Sequence, residues 1–263
     1  AHVLAFGPAL ARRALAAAPS AASVPRGVSC GGFVGCSLAA MPAALPGPSA
    51  RPLLSAARRP RLLGHYFSGT HGLVGRAARA AQWSAREVDV ESGTDLSVPA
   101  TVRAELARVA RGDFGALALG PPCSTFSPNP AEGGGRYVLR DWERPDGRPV
   151  LSSRLRAKLD LHNGFIKFTP DAALLQLRAG GELLIENSAG RYDERSPAYW
   201  PAKAHMPPMW ATSPMQRLMF LAAAMGRPLS LLRAPQCAFG RGPHGLLFQK
   251  WTEFLATPAT ARR

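Results

Sequence analysis

Arg61-Leu-Leu-Gly-His-Tyr-Phe-Ser-Gly-Thr-His-Gly-Leu73 is the stretch of sequence that decides the fold of this chain. Its first seven residues have the short, apolar character of a buried strand, and the next five form a glycine-containing turn. Leu73–Trp83 then has small apolar residues at helical spacing. A strand, a tight turn and a helix make up the repeating unit of α/β proteins. We therefore predict an α/β fold with a largely parallel sheet and flanking helices.

Strands and helices continue to alternate along the rest of the chain. The further predicted strands are Glu87–Val90, Gly115–Leu119, Glu182–Ile185, Leu229–Arg233 and Trp251–Leu255. The predicted helices are Pro99–Arg111 with Ser97 as its N-cap, Ser152–Phe168, a separate helix from Pro170 to Arg178, and one from Ser213 to Met225. In such sheets, ligands bind beyond the carboxyl ends of the strands.

Positive charge is unevenly distributed over the 263 residues. The net charge is +15, but residues 1–86 alone contain ten arginines and no acidic residue. Residues 87–263 contain 22 basic and 17 acidic residues, so the α/β part is only mildly basic. This argues against a protein that coats nucleic acid through bulk charge.

The first 60 residues are dominated by Ala, Pro, Ser, Gly and Arg. We expect them to be disordered, because they bury too little large apolar surface to offset their conformational entropy. An acid-free, Arg-rich segment is also typical of a transit peptide, so a plain tail and a targeting segment are alternatives, and the nucleus or an organelle is the expected compartment. Residues 61–263 are predicted to form one domain, which we expect to be a monomer.

Neither a membrane span nor a metal site is predicted. No run of about 18 strongly apolar residues is present, as a transmembrane helix requires. The four cysteines lack zinc-site spacing and the histidines are widely scattered. A reducing compartment is therefore expected for the thiols.

The turn Phe67-Ser68-Gly69-Thr70-His71-Gly72-Leu73 is a candidate cofactor site. Glycine lets the backbone approach a ligand, and a helix N-terminus favours an electronegative group. In nucleotide sites an acidic residue some twenty positions later binds ribose hydroxyls, and Asp89 fits this role, with Glu87 and Glu91 as competitors. Because every α/β protein needs such turns, a purely structural role is the alternative.

Two more clusters follow predicted strands. In Gly120-Pro121-Pro122-Cys123, two prolines hold a cysteine on a stiff loop, as a reactive thiolate requires. The alternative is an inert, buried cysteine. Glu186-Asn187 follows the apolar strand that begins at Glu182, where its carboxylate is either functional or a solvated turn acid.

Together these clusters resemble the cytosine carbon-5 methyltransferase family. The first is similar to that family's Phe-Ser-Gly-x-Gly-Gly-Leu turn, with His71 in place of the middle glycine. Gly120-Pro-Pro-Cys-Ser-Thr-Phe-Ser127 resembles its Gly-x-Pro-Cys-x-x-Phe-Ser motif, and Glu186-Asn187-Ser188 resembles Glu-Asn-Val. Asp95-Leu96 is similar to the Asp-Ile pair that contacts the cofactor's adenine. The order of these motifs agrees with the family over roughly residues 62–255.

The resemblance implies a Rossmann-like fold that binds S-adenosylmethionine and methylates cytosine in DNA. Cys123 would be the nucleophile, Glu186 would protonate or hydrogen-bond ring nitrogen 3, and Asn187 would fix the loop and the base. The implied cofactor-binding residues are Phe67, Ser68, Gly69, His71, Gly72, Leu73, Asp89, Asp95 and Pro121.

The chain also departs from the family pattern. Asp89 and Asp95 are only six positions apart, where the family has a helix between its two acidic contacts. The later Gln-x-Arg-x-Arg motif is not intact, since Trp251 and Glu253 stand where its arginines would be and Gln249-Lys250 is the nearest substitute. Twelve residues follow Trp251, so we expect no target-recognition domain.

A longer segment than usual, residues 129–150, separates the cysteine from the glutamate. It interleaves cations with aromatic residues, which suits phosphate contact and base stacking, or it is a loop balanced by its own acids. The candidate nucleic-acid contacts are Arg136, Arg140, Trp142 and Lys250. RNA is the nearest alternative substrate, and a degenerate domain that binds nucleic acid without catalysis is the alternative from another class.

Overall fold

The computed structural model describes residues 60–69, 72–126, 139–235 and 251–261. These ranges form an α/β fold built on one six-stranded sheet with flanking helices. The strands are β1 (Leu62–Tyr66), β2 (Ser84–Val88), β3 (Ala116–Leu119), β4 (Glu182–Ser188), β5 (Ser230–Pro235) and β6 (Trp251–Ala256). The α-helices are α1 (Leu73–Ala80), α2 (Pro99–Arg111), α3 (Ser153–Arg178), α4 (Ser213–Ala224) and α5 (Pro258–Ala261). The predicted α/β class is confirmed.

The strand order of the sheet is β2-β1-β3-β4-β6-β5. The first four strands pair in parallel, whereas β6 is antiparallel to both of its neighbours and makes the sheet mixed. The chain passes from β1 to β2 on one side and then to β3 on the other side of β1. This reversal creates a topological switch point at the carboxyl ends of β1 and β3, where open α/β sheets bind ligands.

The apolar core lies between the sheet and helices α2, α3 and α4, which pack side by side. Leu117 and Ile185 contribute from the sheet, Ile166 and Ala173 from α3, and Leu218 from α4, and all five are buried. These three helices connect β2 to β3, β3 to β4 and β4 to β5, and all three connections run in one direction across the sheet. Connections of the usual right-handed sense then place the helices on one face. Within the described ranges, no helix is long and apolar enough to cross a membrane.

Helix α3 is one continuous element of 26 residues, so the predicted break before Pro170 is wrong. Pro170 has no N–H to donate to the carbonyl of Ile166, which normally interrupts a helix. Ile166 and Ala173, one on either side of it, are both buried in the core. The Thr169 hydroxyl also donates to the Phe165 carbonyl at 2.9 Å. Tertiary burial of both halves therefore outweighs the local preference.

Strand β4 continues through Ser188, so Glu186 and Asn187 lie inside the strand and not beyond its end as predicted. The reason is β6, a strand distant in sequence. It pairs Phe254 with Glu186 and Glu253 with Asn187 in antiparallel register.

Two predicted boundaries also move. Strand β2 begins at Ser84 and ends at Val88, so Val90 lies in a short 3-10 helix. Ser97 does not cap α2, whose N-cap is Val98 and makes no side-chain capping bond. The Ser97 N–H instead donates to Asp95 Oδ1 at 2.7 Å, which closes a local turn before the helix.

Candidate active site

The turn after β1 has a left-handed backbone at three positions: Phe67 (φ 60°), Gly69 (φ 61°) and Gly72 (φ 47°). For a bulky residue such as phenylalanine this conformation costs roughly 1–3 kcal/mol. The Phe67 ring is held by edge-on packing against Phe165 and Phe168, with centroid separations of 5.3 and 6.1 Å. The turn is therefore a strained backbone fixed by the core.

Asp89 holds this turn from the end of the neighbouring strand. Its Oδ2 accepts a hydrogen bond from the Gly69 N–H at 3.1 Å, and its Oδ1 accepts from the Glu91 N–H at 3.1 Å. Among the described residues, a Cβ atom added to Gly69 would meet no atom within 4 Å, so these residues leave space beside the turn. The structure thus brings together the predicted ribose-binding acid and the predicted cofactor turn.

Glu87, a competitor for that role, is engaged elsewhere. Its carboxylate packs against Gly72 and Gly75, where any side chain would collide with it. It also forms an ion pair with Arg79 at 2.8 Å. Glu87 therefore fastens α1 to β2, and these contacts explain why the two positions are glycines.

Leu96, which follows Asp95 just before α2, lines a cleft of about 470 Å³ that extends to the middle of α3. Leu96 and Phe165 line the cleft, and Phe67 packs on Phe165. Hydrogen bonds from Ser97 lower the pKa of the Asp95 carboxyl, which keeps it ionised. Cleft volumes of about 300–1,000 Å³ are typical of small-molecule sites.

The loop after β3 is held by side chains from two other elements. Asn187 Nδ2 of β4 donates to the Pro121 carbonyl at 2.9 Å. His162 of α3 is hydrogen-bonded to the backbone of Pro122, and burial lowers the pKa of its imidazole. Cys123 follows with a free, half-buried thiol. The backbone just before Cys123 is thus fixed by one hydrogen bond from β4 and one from α3.

Arg140 lies behind this loop and is fully buried. Its Nε donates to Thr125 Oγ1 at 3.2 Å, Nη1 to the Pro145 carbonyl at 2.8 Å, and Nη2 to Asn163 Oδ1 at 2.7 Å. Its guanidinium carbon is also 4.4 Å from the centre of the Phe126 ring. Burial lowers the pKa of Arg140 to about 10, so it remains a cation at neutral pH.

This placement contradicts the predicted nucleic-acid contact of Arg140. A side chain with no exposed surface and three internal hydrogen bonds does not reach a phosphate. Sequence reasoning placed it on a solvated loop, because the segment around it is rich in charged residues.

The cysteine loop, the turn after β1 and the Glu186 side chain of β4 meet around Gly120. Its N–H donates to the Tyr66 carbonyl at 3.1 Å. A Cβ atom added there would lie 3.5 Å from Glu186 Oε2 and 3.7 Å from the Phe67 carbonyl oxygen. The cysteine loop, the cofactor turn and the Glu186 carboxylate therefore adjoin one another at the switch point.

Two buried polar atoms near this point have no hydrogen-bond partner among the residues that the structure describes. They are Ser68 Oγ in the turn after β1 and Asn187 Oδ1 in β4. Buried polar groups are normally satisfied by protein, ligand or ordered water. Both atoms belong to predicted site residues, so they are the groups that a bound molecule would satisfy.

Glu253, which stands where the family has an arginine, is buried in β6. It forms an ion pair with Arg233 of β5 and accepts hydrogen bonds from Trp210 Nε1 at 2.8 Å and the Gly190 N–H at 3.2 Å. Glu253 therefore anchors the segment that follows β4.

Two further predicted residues lie within the described ranges. Trp142 is exposed and packs on Tyr192. Leu73 begins α1. His71, Arg136 and Lys250 lie outside the described residues, as does the predicted disordered segment before residue 60.

Sequence reasoning missed the second layer of residues behind the cysteine, namely Thr125, His162 and Asn163. His162 and Asn163 are 23 or fewer positions from Arg140, yet no motif joins them. The available signal was the pair of adjacent polar residues between Leu161 and Gly164 of α3.

Comparison of the chain with family models, curated proteins and solved structures found no match in any of the three. Among the described residues, no group of three or more His, Cys, Asp or Glu side chains is arranged to hold a metal ion.

Proposed function

We propose that this protein methylates carbon 5 of cytosine in DNA through a covalent Cys123 adduct, with S-adenosylmethionine as methyl donor. The meeting of three segments at Gly120 carries the proposal, because it brings the cysteine loop beside Glu186 and the Phe67 backbone. The parallel run β2-β1-β3-β4 supports a Rossmann-like methyltransferase sheet, since the site occupies its switch point.

The residues present fit the cofactor. The cleft lined by Leu96 and Phe165 suits an adenine ring, and Asp89 lies beside the open space at Gly69, where ribose hydroxyls would be accepted. Ser68 Oγ supplies a further polar group without a partner among the described residues. The bound cofactor supplies the electrophilic methyl group.

Cys123 activates the base. Its thiolate bonds to carbon 6, and the displaced π electrons move toward ring nitrogen 3, where Glu186 donates a proton. Carbon 5 thereby becomes an enamine carbon that would take the methyl group, while the sulfur–methyl bond breaks and the cofactor leaves as the neutral thioether. Loss of the carbon-5 proton to water and cleavage of the carbon–sulfur bond then restore the thiolate, and Glu186 regains its proton.

Arg140 supports the loop that carries Cys123. Its side chain lies behind the Thr125–Phe126 end of that loop, donates to Thr125 Oγ1 and lies over the Phe126 ring. It also holds the loop in one conformation, so it is a positioning residue.

A trapping experiment tests the proposal. The protein is incubated with DNA containing 5-fluorocytosine and with S-adenosylmethionine, because fluorine at carbon 5 blocks the final elimination. We expect a denaturation-resistant adduct that Cys123→Ala abolishes and that the matched control Cys237→Ala retains.

Absence of an adduct when S-adenosylmethionine binding is demonstrated would favour the non-catalytic alternative. An adduct that survives Cys123→Ala would overturn the nucleophile assignment. A parallel reaction with 5-fluorocytosine RNA decides between the two polymers.

A further inference from the structure

Three of the four exposed aromatic residues in the described part of the chain lie on two segments that contact each other. Trp142, Tyr192 and Trp200 are 44%, 44% and 48% exposed, and we name them the aromatic surface. The fourth, Phe220, lies apart on α4. Exposed aromatic residues gathered in one place are typical of a binding site.

Two distant segments are joined to make the aromatic surface. The rings of Trp142 and Tyr192 pack edge to face, with centroids 4.8 Å apart. Trp142 Nε1 donates to the Ala204 carbonyl at 3.0 Å. The backbone N–H of Trp200 donates to the Arg191 carbonyl at 3.1 Å. The rings of Trp142 and Tyr192 and the backbone of Trp200 are therefore held in place, while part of each side chain remains open to solvent.

Cations accompany the rings. Lys203 Nζ lies 4.1 Å from the centre of the Trp200 ring. Arg191 is close enough that its charge, added to the larger effect of burial, lowers the pKa of the Lys203 ammonium. Two neighbouring cations attract a phosphate, which relieves their mutual repulsion.

The aromatic surface adjoins the candidate active site. Trp142 is two residues from Arg140, which is hydrogen-bonded to Thr125 of the cysteine loop. Arg191 is four residues beyond Asn187, where the chain leaves β4. The Trp142 segment is thus linked to the cysteine loop through Arg140, and the Tyr192 segment follows the strand that carries Asn187.

Resting on the function proposed above, we propose that the aromatic surface binds unpaired nucleotides of single-stranded DNA next to the target cytosine. Ring faces stack on the faces of unpaired bases, whereas neighbouring base pairs cover those faces in a duplex. Lys203 and Arg191 contact the intervening phosphates. Readers of duplex sequence instead present hydrogen-bonding groups to base edges in a groove.

Binding of a fluorescein-labelled oligonucleotide of about 16 nucleotides to the full chain tests this inference. Anisotropy titrations compare the single strand, the matching duplex and the same RNA sequence. We expect the single-stranded DNA to bind most tightly and Trp142→Ala and Trp200→Ala each to weaken it about tenfold. The control Phe220→Ala removes an exposed aromatic residue outside the surface and should leave binding unchanged.

Trp142→Phe separates stacking from loop structure. It keeps a stacking ring but loses the Nε1–H bond to Ala204, so it should retain most of the affinity. Loss of binding equal to that of Trp142→Ala would overturn the stacking role. Equal binding of duplex, or tighter binding of RNA, would overturn single-stranded DNA as the occupant.

Oligonucleotide binding by the aromatic surface can be measured separately from adduct formation at Cys123. All titrations are repeated with Cys123→Ala, which cannot form the adduct. Binding that depends on the aromatic surface, together with no adduct between the unsubstituted protein and 5-fluorocytosine DNA, would refute the proposed catalysis alone. An adduct that forms equally well in Trp142→Ala and Trp200→Ala would refute the aromatic surface alone.

Discussion

Two loops leave the same edge of the sheet, and they are stabilised in different ways. The loop after β1 has a left-handed backbone at Phe67, Gly69 and Gly72 and open space beside it. The loop after β3 has two prolines and is fixed from behind by Asn187, His162 and Arg140.

The difference matches the two tasks that we propose. A loop that receives a cofactor presents backbone groups, so it needs small residues and unobstructed space. A loop that carries a nucleophile needs one fixed side chain, so buried neighbours restrict its conformations. Substitutions in the first loop should affect cofactor binding, and substitutions around the second should affect adduct formation.

The largest effect is expected from Arg140→Ala. It removes three hydrogen bonds and leaves a buried acceptor on Thr125 and partly buried acceptors on Pro145 and Asn163 unsatisfied, which costs about 3 kcal/mol of unfolding free energy. Urea unfolding measures this loss. The matched control Arg148→Ala removes a half-exposed arginine paired with Asp141, and a loss below about 0.5 kcal/mol is expected. Equal losses for the two variants would show that Arg140 does not brace the loop.

Gly72→Ala and Gly69→Ala test the loop after β1. Both place a side chain on a left-handed backbone, at a cost of roughly 1–2 kcal/mol. Gly72→Ala should lose more stability, because its Cβ also collides with Glu87, whereas that of Gly69 meets no atom within 4 Å.

Gly69→Ala should instead weaken S-adenosylmethionine binding, which calorimetry measures, since its methyl group enters the open space. The distinction between the loops fails if S-adenosylmethionine binding is unchanged in Gly69→Ala.

Thr125→Val tests the loop after β3. It removes the acceptor for Arg140 Nε–H, so we expect a loss of about 1 kcal/mol in unfolding free energy. Adduct formation should slow, while S-adenosylmethionine affinity stays the same. Thr125→Ser retains the hydroxyl and should restore the rate. A parallel fall in cofactor affinity would mean that the two loops are not independent.

The smallest effect concerns pH. Burial lowers the pKa of His162 below its usual value of 6.5, so the folded protein keeps this imidazole neutral. As pH falls below 6.5, the unfolded chain binds a proton that the folded chain does not, and stability decreases until the folded pKa is passed. His162→Gln should reduce this slope in unfolding experiments. Burial also lowers the pKa of His65, so the contribution of His65 to the pH dependence of stability should remain in this variant. An unchanged slope in His162→Gln would contradict the assignment.

The predictability of the site varied from residue to residue. The strands before Phe67 and Cys123 were predictable, because short apolar runs that end in glycine or proline have few other solutions. The continuous path of α3 through Pro170 was not, since it depends on burial of both halves against the sheet. The position of Glu186 within β4 was also missed, because β6 comes from 65 or more residues later in the chain.

The sequence by itself determined the α/β class, the turn at Gly69, the stiff loop at Cys123 and their order along the chain. Local periodicity and the restricted backbone choices of glycine and proline suffice for these features. Only the tertiary structure decided that Arg140 is a buried brace, that Asp89 accepts a hydrogen bond from Gly69 while Glu87 pairs with Arg79, and that Trp142 packs on Tyr192. Each of these roles depends on contacts between segments distant in sequence. Burial and geometry set such a role, and the residue type alone does not.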